Sequence, residues 1–284
     1  MPKQRVGFYF ILPWLIGLIA FTIFPMLVAL YVSLTDWTII GTPNFIGFEN
    51  FERIFNDPMF YESLWITVRY AIFAVPLTIA TAFMVAVLLN NKLRFVGIYR
   101  TIFYMPAIVS GVAVAIVFKW VLDPNYGVIN SLLNLIGLEG PNWLYDPNWV
   151  LPSYLVMALW GASGGLLTYL VGLKDIPQEL YESAELDGAN FLQKVRHIMM
   201  PLITPIIFYN MIMGIIAAFR KFTDAYILGG AGNQGTFYMV YLYEQAFSFY
   251  NMGYATALAW VLFVIILGLT IIVNVSKKYW VHTG

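Results

Sequence analysis

A stretch of 30 residues without a charged residue runs from Val6 to Thr35, close to the N-terminus, and it strongly constrains the fold. A helix needs about 20 consecutive apolar residues to cross the hydrocarbon core of a bilayer. The apolar region of a signal peptide is shorter, roughly 7–15 residues, and no A-x-A-like cleavage site follows this stretch. The stretch therefore predicts a transmembrane helix that is retained.

The overall composition also indicates a membrane-embedded chain. Hydrophobic residues make up 61% of the 284 residues and charged residues 11%, whereas soluble domains contain about 25% charged residues. So few charges cannot cover a soluble surface of this size. The net charge is zero and there is no basic tract, which argues against nucleic-acid binding. The absence of cysteine excludes disulfides and thiolate chemistry.

Six segments are long and apolar enough to span a membrane, which predicts an all-α membrane protein with one transmembrane domain over residues 1–284. The predicted spans are 9–34, 66–90, 101–119, 151–173, 202–222 and 254–276. A seventh uncharged run, 225–243, contains the sequence GGAGNQG, which cannot sustain a lipid-facing helix. We expect an external loop or a partly re-entrant segment there, since irregular backbone at membrane depth must be buried in protein.

Lysine and arginine are distributed unevenly over the predicted loops. With a cytoplasmic N-terminus, ten of the fifteen lie inside: Lys3, Arg5, Lys92, Arg94, Arg100, Lys174, Lys194, Arg196, Lys277 and Lys278. The others are Arg53, Lys119, Arg220 and Lys221 outside, and Arg69 in the second span. Because cytoplasmic loops are enriched in these residues, both termini are predicted to be cytoplasmic. Residues 175–200 then form the longest cytoplasmic loop.

This loop carries capping signals for two short helices. Asp175 is a plausible N-cap, Pro177 suits the first turn, and Gly188 is a typical residue after a helix C-terminus, which predicts a helix of about 12 residues. Asn190 can cap a second helix. The apolar positions of that helix, which we expect to pack on the membrane core, are Phe191, Leu192, Val195, Ile198 and Met199, while Lys194, Arg196 and His197 face the cytoplasm. From the residues alone, both a solvated loop and a docking site for a soluble protein remain open.

The same loop resembles the "EAA" loop of binding-protein-dependent ABC importer permeases. That pattern reads E-A-A, three residues, G, nine residues and I-x-L-P, and it matches residues 182–184, Gly188 and residues 198–201 with the full spacing. Ser183 and Met200 depart from it. The sequences LPWLIGLIAFTIFPMLVALYVSLTDW, FIGFENFERIFNDPMFYESLWITVRY, YRTIFYMPAIVSGVAVAIVFKWVLDPNYGVINSLL and FTDAYILGGAG are similar to the carbohydrate-uptake branch, in particular to the first membrane subunit of maltose-type importers.

The resemblance implies a type I ABC importer permease fold in which this loop forms a coupling helix that inserts into a cytoplasmic ATPase. The implied contact residues, with the neighbouring acid of the same helix, are Glu179, Tyr181, Glu182, Ala184, Asp187 and Gly188. The chain has no G-x-x-x-x-G-K-[ST] phosphate loop. We therefore expect no catalytic residue, metal or cofactor in this chain, with ATP-Mg bound by a separate polypeptide.

The resemblance also implies a substrate path through the fourth and fifth spans. Including the intramembrane Asn210, the candidate residues are Trp160, Gly161, Gly164, Asn210, Gly214, Ala218 and Lys221. The small residues can equally serve tight helix packing. Arg220 and Lys221 favour either an acidic sugar as substrate or long side chains that reach the outer interface. Arg69 is expected to reach the interface or to pair with an acid such as Asp224.

The predicted assembly is a heterodimer with a second permease subunit, two cytoplasmic ATPase subunits and an extracytoplasmic solute-binding protein, in a prokaryotic cytoplasmic membrane. Segments 48–58 and 123–143 either anchor the protein at the lipid surface or dock an external partner. The alternative function is a secondary transporter of small polar solutes, but no coupling acid lies within a predicted span. An intramembrane enzyme is disfavoured because no nucleophile or metal constellation is present.

Overall fold

The computed structural model describes residues 2–90, 95–229 and 235–282, with side chains from residue 10 onward. The basic residues Lys92 and Arg94 lie outside the described residues, as does most of the GGAGNQG segment (230–234). The side chains of Lys3 and Arg5 are likewise outside the described part.

The described residues form helices and connecting turns, with no strand among them. The α-helices are α1 (Pro2–Leu18), α2 (Phe24–Ser33), α3 (Glu49–Phe55), α4 (Pro58–Asn90), α5 (Val96–Ile108), α6 (Gly111–Val121), α7 (Val128–Leu135), α8 (Pro147–Trp160), α9 (Ser163–Lys174), α10 (Gln178–Leu186), α11 (Phe191–Lys194), α12 (Met200–Leu202), α13 (Thr204–Phe219), α14 (Thr223–Leu228), α15 (Tyr238–Tyr243) and α16 (Met252–Trp280). Three π-helical segments continue them, Ile19–Ile23, Val195–Met199 and Glu244–Ser248.

Among the described residues, four helical stretches are long and apolar enough to cross a membrane: Phe10–Ser33, Pro58–Asn90, Thr204–Leu228 and Met252–Trp280. Two bent pairs pass the same test together, α5 with α6 at 98° and α8 with α9 at 45°. If each bent pair crosses once, six candidate spans result. The number of crossings and the orientation of the termini remain predictions.

The two bends have local causes in the backbone. Val109 has an extended conformation (ψ 135°) and Ser110 follows with ψ 132°, so the helical hydrogen bonds stop before Gly111. Gly161 and Ala162 separate α8 from α9. The predicted third span therefore differs from a single straight helix over 101–119, because two of its residues leave the helical conformation.

The chain divides into two compact units, and the first comprises residues 1–60 and 241–265. Its buried Asn50 holds the chain after α2, since the amide Nδ2 donates to the carbonyls of Ser33 at 2.9 Å and Thr35 at 2.8 Å. Gly253 at the start of α16 lies so close to the Thr35 carbonyl that a Cβ would collide with it. Segment 48–58 contains the short helix α3, and the next helix, α4, begins at Pro58.

Asp57 is the acidic centre of this first unit. Its carboxylate accepts hydrogen bonds from the hydroxyls of Tyr241 and Tyr254 and from the backbone N–H of Met59 at 2.9 Å. Burial alone raises the pKa of this carboxyl, but the hydrogen bonds outweigh it, and the pKa lies below its usual value. Asp57 thereby links α4 to α15 and α16 as a charged group.

The second unit comprises residues 61–240 and 266–284, and its apolar core joins α4 to α9. Phe83 packs edge-to-face on the fully buried Tyr169, with ring centroids 6.1 Å apart. The core continues through Leu173 and Ile176 to Met199 and Ile203, on both sides of the loop between α9 and α13. This loop is therefore anchored to the helical core at its start and at its end.

Candidate functional site

The first helix of the loop, α10, begins later than the sequence suggests. The predicted N-cap Asp175 is wrong: this residue is the C-cap of α9, and its N–H donates to Val171 O at 3.1 Å. Pro177 is the N-cap of α10, which has nine residues rather than about 12. The reason is the burial of Ile176 in the apolar core, which holds the turn between the two helices.

The bend after α10 agrees with the sequence prediction. Gly188 has φ +75°, a conformation that favours glycine. Its N–H donates to Glu185 O at 3.1 Å, and the N–H of Ala189 donates to Ala184 O at 2.8 Å. This pair of bonds is a Schellman motif, so the prediction that Gly188 ends the helix is confirmed.

The second helix starts with a complete capping box. Asn190 Oδ1 accepts a hydrogen bond from the N–H of Gln193 at 3.0 Å, and Gln193 Oε1 accepts one from the N–H of Asn190 at 2.7 Å. The prediction that Asn190 caps this helix is confirmed. Residues 178–199, referred to below as the hairpin, thus have both ends of their bend fixed by hydrogen bonds.

An ion pair that the sequence does not reveal crosses the bend. Lys194 Nζ donates to Glu185 Oε1 at 2.8 Å, and this contact holds the pKa of the Glu185 carboxyl below its usual value. The side chain of Lys194, which is predicted to face the cytoplasm, folds back on α10 within the hairpin. The two residues are nine positions apart, so no local spacing rule indicates the pair.

Only part of the second helix packs on the core. Met199 is buried, and Val195 and Ile198 pack against the core cluster together with Tyr181 of α10. Phe191 and Leu192 are 46% and 74% exposed, so the prediction that they pack on the membrane core is wrong. Those two residues occupy the first turn, which the capping box directs away from the core.

The face of α10 opposite the core carries exposed carboxylates around an apolar side chain. Glu179, Glu182 and Asp187 are exposed, and Leu186 is 91% exposed. Glu182 is oriented by Gln178, whose Nε2 donates to Glu182 Oε1 at 2.8 Å. Ala184 is half-buried on the same helix. The structure thus brings the six predicted coupling residues onto one short, anchored helix and its terminal turn.

A cavity of about 480 Å³ lies within the second unit, between α4, α5, α6, α8 and the α13–α14 segment. Five of the predicted path residues line it: Trp160, Gly161, Gly214, Ala218 and Lys221. Gly164 and Asn210 do not contribute to this lining. Asn210 instead bonds between helices, since its Nδ2 donates to Thr168 Oγ1 at 3.0 Å and to Ile206 O at 2.9 Å.

Lys221 is enclosed by aromatic rings at the edge of this cavity. Its ammonium nitrogen lies 4.6 Å from the ring centroid of Tyr70, 5.3 Å from that of Tyr154 and 5.9 Å from that of Phe237. It also forms an ion pair with Asp224, and the Lys221 side chain is only 9% exposed. The alternative in which Lys221 extends to the interface is therefore wrong, and Asp224 pairs with Lys221 rather than with Arg69.

The surroundings of Lys221 are not visible in the sequence because they are formed by residues from distant parts of the chain. Tyr154 and Phe237 stack edge-to-face at 4.9 Å although they lie in distant parts of the chain. The Tyr154 hydroxyl donates to Gly229 O at 2.9 Å, and Lys119 Nζ donates to Ile227 O at 3.0 Å. These two bonds hold the C-terminal end of α14, which follows the short non-helical segment after α13. No periodicity or spacing rule predicts them.

The cavity wall also carries an exposed arginine and an exposed tryptophan. Arg220, the C-cap residue of α13, is exposed, and no ion pair to it occurs within the described part of the chain. Trp160 is 49% exposed and contacts Phe118 edge-to-face, with ring centroids 6.3 Å apart. The cavity thus offers a cationic group and an aromatic ring to a polar guest.

The second unit combines apolar helices, a partly charged cavity and a polar hairpin held by hydrogen bonds. These features are typical of a membrane-embedded transport subunit. The chain belongs to the family of binding-protein-dependent transport system inner membrane components, whose sequence model matches residues 74–281. This range includes the hairpin and, except for Tyr70, the residues that line the cavity. The resemblance to ABC importer permeases is confirmed, and the protein is a multi-pass protein of the cytoplasmic membrane rather than a secondary transporter.

Relatives of similar length match nearly the whole chain. The probable ABC transporter permease protein YesP of Bacillus subtilis (strain 168) is 40% identical over 283 residues, covering 97% of this chain and 91% of the relative. The arabinooligosaccharides transport system permease protein AraP of the same organism is 30% identical over 276 residues, covering 95% and 88%. The trehalose/maltose transport system permease protein MalF of Thermococcus litoralis is 30% identical over 275 residues, covering 95% and 92%.

A solved structure confirms the predicted helical ABC importer permease fold. A chain of the crystal structure of a bacterial alginate ABC transporter, in complex with an alginate pentasaccharide-bound periplasmic protein, has a TM-score of 0.89. It is 24% identical, and the match covers 100% of this chain and 97% of that chain. At this identity the likeness defines the fold alone.

Proposed function

We propose that this chain is one of two permease halves of an ATP-driven importer of saccharides. The names of its relatives support this substrate class, since they include permeases for arabinooligosaccharides, trehalose/maltose and lactose. The relatives also include a sulfoquinovosyl glycerol permease and a structure of an importer of the acidic polysaccharide alginate. The names of the relatives therefore support a sugar as substrate, but they include both neutral and acidic sugars and do not indicate its charge.

The hairpin is the proposed docking site for a cytoplasmic ATPase subunit. One observation carries this proposal: Leu186 is 91% exposed at the tip of a helix whose other face is anchored to the core by Tyr181. A central apolar side chain with a charged rim is the usual anatomy of a protein interface. The rim consists of Glu179, Glu182 and Asp187, which favours a partner groove with basic groups.

Rigidity gives the hairpin a mechanical role in this scheme. The Schellman motif at Gly188, the capping box at Asn190 and the Lys194–Glu185 ion pair all resist a change of the bend angle. A force applied by an ATPase to α10 then passes through Tyr181 and the buried Met199 to the helical core. The Ala184 and Gly188 positions permit close approach because they carry little or no side chain.

The proposed topology has six spans and cytoplasmic termini. It rests on the excess of Lys and Arg on the side of the hairpin, including Lys174 at the end of α9 and Lys277 and Lys278 in the last turn of α16. The segments predicted to be external include α3 and α7, which each expose apolar residues, among them Phe55 and Leu135. These helices are the proposed contacts of the extracytoplasmic binding protein.

The complete transporter is proposed to contain a second, different permease subunit, two ATPase subunits that bind ATP-Mg, and the binding protein. The cavity forms this chain's share of the substrate path, with Trp160, Gly161, Gly214 and Ala218 on its wall. Asn210 supports that wall through its bond to Thr168, whereas Gly164 is exposed with open space around it. No cofactor is assigned to this chain itself.

The experiment is uptake of radiolabelled oligosaccharides into proteoliposomes that contain all components, with each omitted in turn. The proposal predicts uptake only when ATP, the ATPase, both permeases and the binding protein are present. Glu182→Lys should abolish uptake because it places a cation against a basic groove. Asp175→Lys is the matched control, since Asp175 is exposed outside α10 and a cation suits a helix C-terminus. Uptake without ATP, or equal losses in both variants, would contradict the proposal.

A further inference from the structure

The charged side chains that line the cavity leave a net positive charge. The charged residues that line it are Arg220, Lys221 and Asp224. Lys221 and Asp224 neutralise each other in a direct ion pair, and three aromatic rings surround the Lys221 ammonium group. One positive charge, on Arg220, is therefore left on the described lining.

The surroundings of Arg220 concentrate the effect of this charge. Most other residues of the wall are apolar or small, among them Val75, Val114, Ala217 and Ala218. A cleft with one sign of charge and walls of low polarity focuses the electric field and raises the local concentration of ions of opposite sign. An anionic group that enters the cavity is attracted to Arg220 rather than to the neutralised Lys221.

Arg220 shares the cavity with the group best suited to a sugar ring. Trp160 exposes about half of its surface, and Phe118 fixes the orientation of its ring. An indole ring provides an apolar plane, while the guanidinium fork pairs with a carboxylate through two parallel hydrogen bonds. Thr78 and Thr223 add hydroxyl groups to the same lining. A saccharide with a carboxylate matches these groups better than a neutral saccharide does.

We infer that the importer carries acidic saccharides, of the uronate class, and that Arg220 binds their carboxylate within the cavity. This inference rests on the proposed function as a sugar importer and adds the charge of the substrate to it. The same chemistry would also allow Arg220 to bind the phosphate of a lipid headgroup. The two sources of the anion make different predictions, because only the sugar carboxylate distinguishes one substrate from another.

The test offers reconstituted transporter a mixture of oligogalacturonates and galactooligosaccharides of equal length, followed by mass spectrometry of the sugars inside the vesicles. Wild-type transporter should accumulate the acidic sugars in preference to the neutral ones. Arg220→Gln should lower acidic uptake at least about tenfold, since a hydrogen-bonded charge is lost, and leave neutral uptake unchanged. Arg220→Lys should retain most of the acidic uptake. The matched control Arg69→Gln removes an exposed arginine that does not line the cavity and should leave the ratio unchanged.

Three results would overturn the inference. Preferential uptake of neutral sugars by wild-type protein refutes it and leaves the proposed function standing. Equal loss of both sugars in Arg220→Gln, varying with the phosphatidylglycerol content of the vesicles, assigns Arg220 to lipid headgroups and refutes it too. If the complete wild-type transporter accumulates neither acidic nor neutral sugars when ATP is supplied, the proposed function is contradicted. The inference is then refuted with it.

Discussion

Replacement of Gly188 tests the mechanical role of the hairpin at a single backbone position. Gly188 has φ +75°, and no atom lies within 4 Å of the place where a Cβ would be added. The effect of a substitution is therefore conformational rather than steric. Alanine in the left-handed region costs about 1–2 kcal/mol, and asparagine costs less. Proline cannot adopt this φ and loses the N–H that donates to Glu185 O, at a cost of about 3 kcal/mol or more.

These magnitudes predict a graded loss of coupling. Each 1.4 kcal/mol reduces the population of the bent hairpin about tenfold relative to other conformations. We therefore expect Asn to transport nearly as well as Gly, Ala to be weaker, and Pro to be uncoupled. The assay measures sugar taken up per ATP hydrolysed in proteoliposomes, with immunoblots to verify equal insertion.

Gly137 provides a matched control for this series. It has φ +78° and equally open surroundings, but it follows α7 in another loop. Gly137→Ala should carry a similar backbone cost and leave the transport-to-hydrolysis ratio unchanged. Wild-type coupling in Gly188→Pro, or the same loss for Asn and Pro, would refute the mechanical role of the bend.

Three further predictions concern stability, measured as thermal unfolding in detergent. Lys221→Met should destabilise the protein by about 3 kcal/mol because Asp224 is left without its cation, and adding Asp224→Leu should recover most of the loss; an additive double variant would contradict this. The carboxyl of Asp57 has a lower pKa in the folded protein than its ordinary value of 3.8, which stands for the unfolded chain. Its ionised form therefore stabilises the fold fully above the unfolded-state pKa, and this stabilisation is lost as the pH falls through the folded-state pKa. The unfolding temperature should therefore be flat from pH 7 to 5 and decline below about pH 4, and Asp57→Asn should weaken that decline; an unchanged acid profile would contradict it. Tyr169→Phe should leave stability equal or raise it by about 1 kcal/mol, because the buried hydroxyl has no hydrogen-bond partner within the described residues; a clear loss would show that the hydroxyl is satisfied.

The parts of the fold that follow from local chemistry could be predicted from the sequence. The bend at Gly188 and the cap at Asn190 depend on residues within five positions of each other, and both are confirmed. The start of α10 could not be predicted in the same way. Asp175 has the chemistry of an N-cap, but the burial of Ile176 sets where the chain turns, and burial depends on distant helices.

The same distinction between local and distant contacts applies to the candidate substrate path. The resemblance to importer permeases indicates Trp160 and several small residues as path residues, and Trp160, Gly161, Gly214 and Ala218 do line the cavity. The enclosure of Lys221 depends on Tyr70, Tyr154 and Phe237, which come together only in the folded chain. The sequence indicates Lys221 as a path residue and offers Arg220 only together with it, for an acidic sugar. The structure separates the two because Lys221 is paired with Asp224.

The most direct test of the account is a cross-link from the tip of the hairpin. The chain has no cysteine, so Leu186→Cys introduces a unique thiol at a side chain that is 91% exposed. Leu135→Cys, at an 82% exposed residue of α7, is the control. With a photoactivatable maleimide, the account predicts an adduct between position 186 and an ATPase subunit, formed from the cytoplasmic side only, and none from position 135. Labelling of position 186 by an impermeant reagent from outside the cell, without an ATPase adduct, would contradict it.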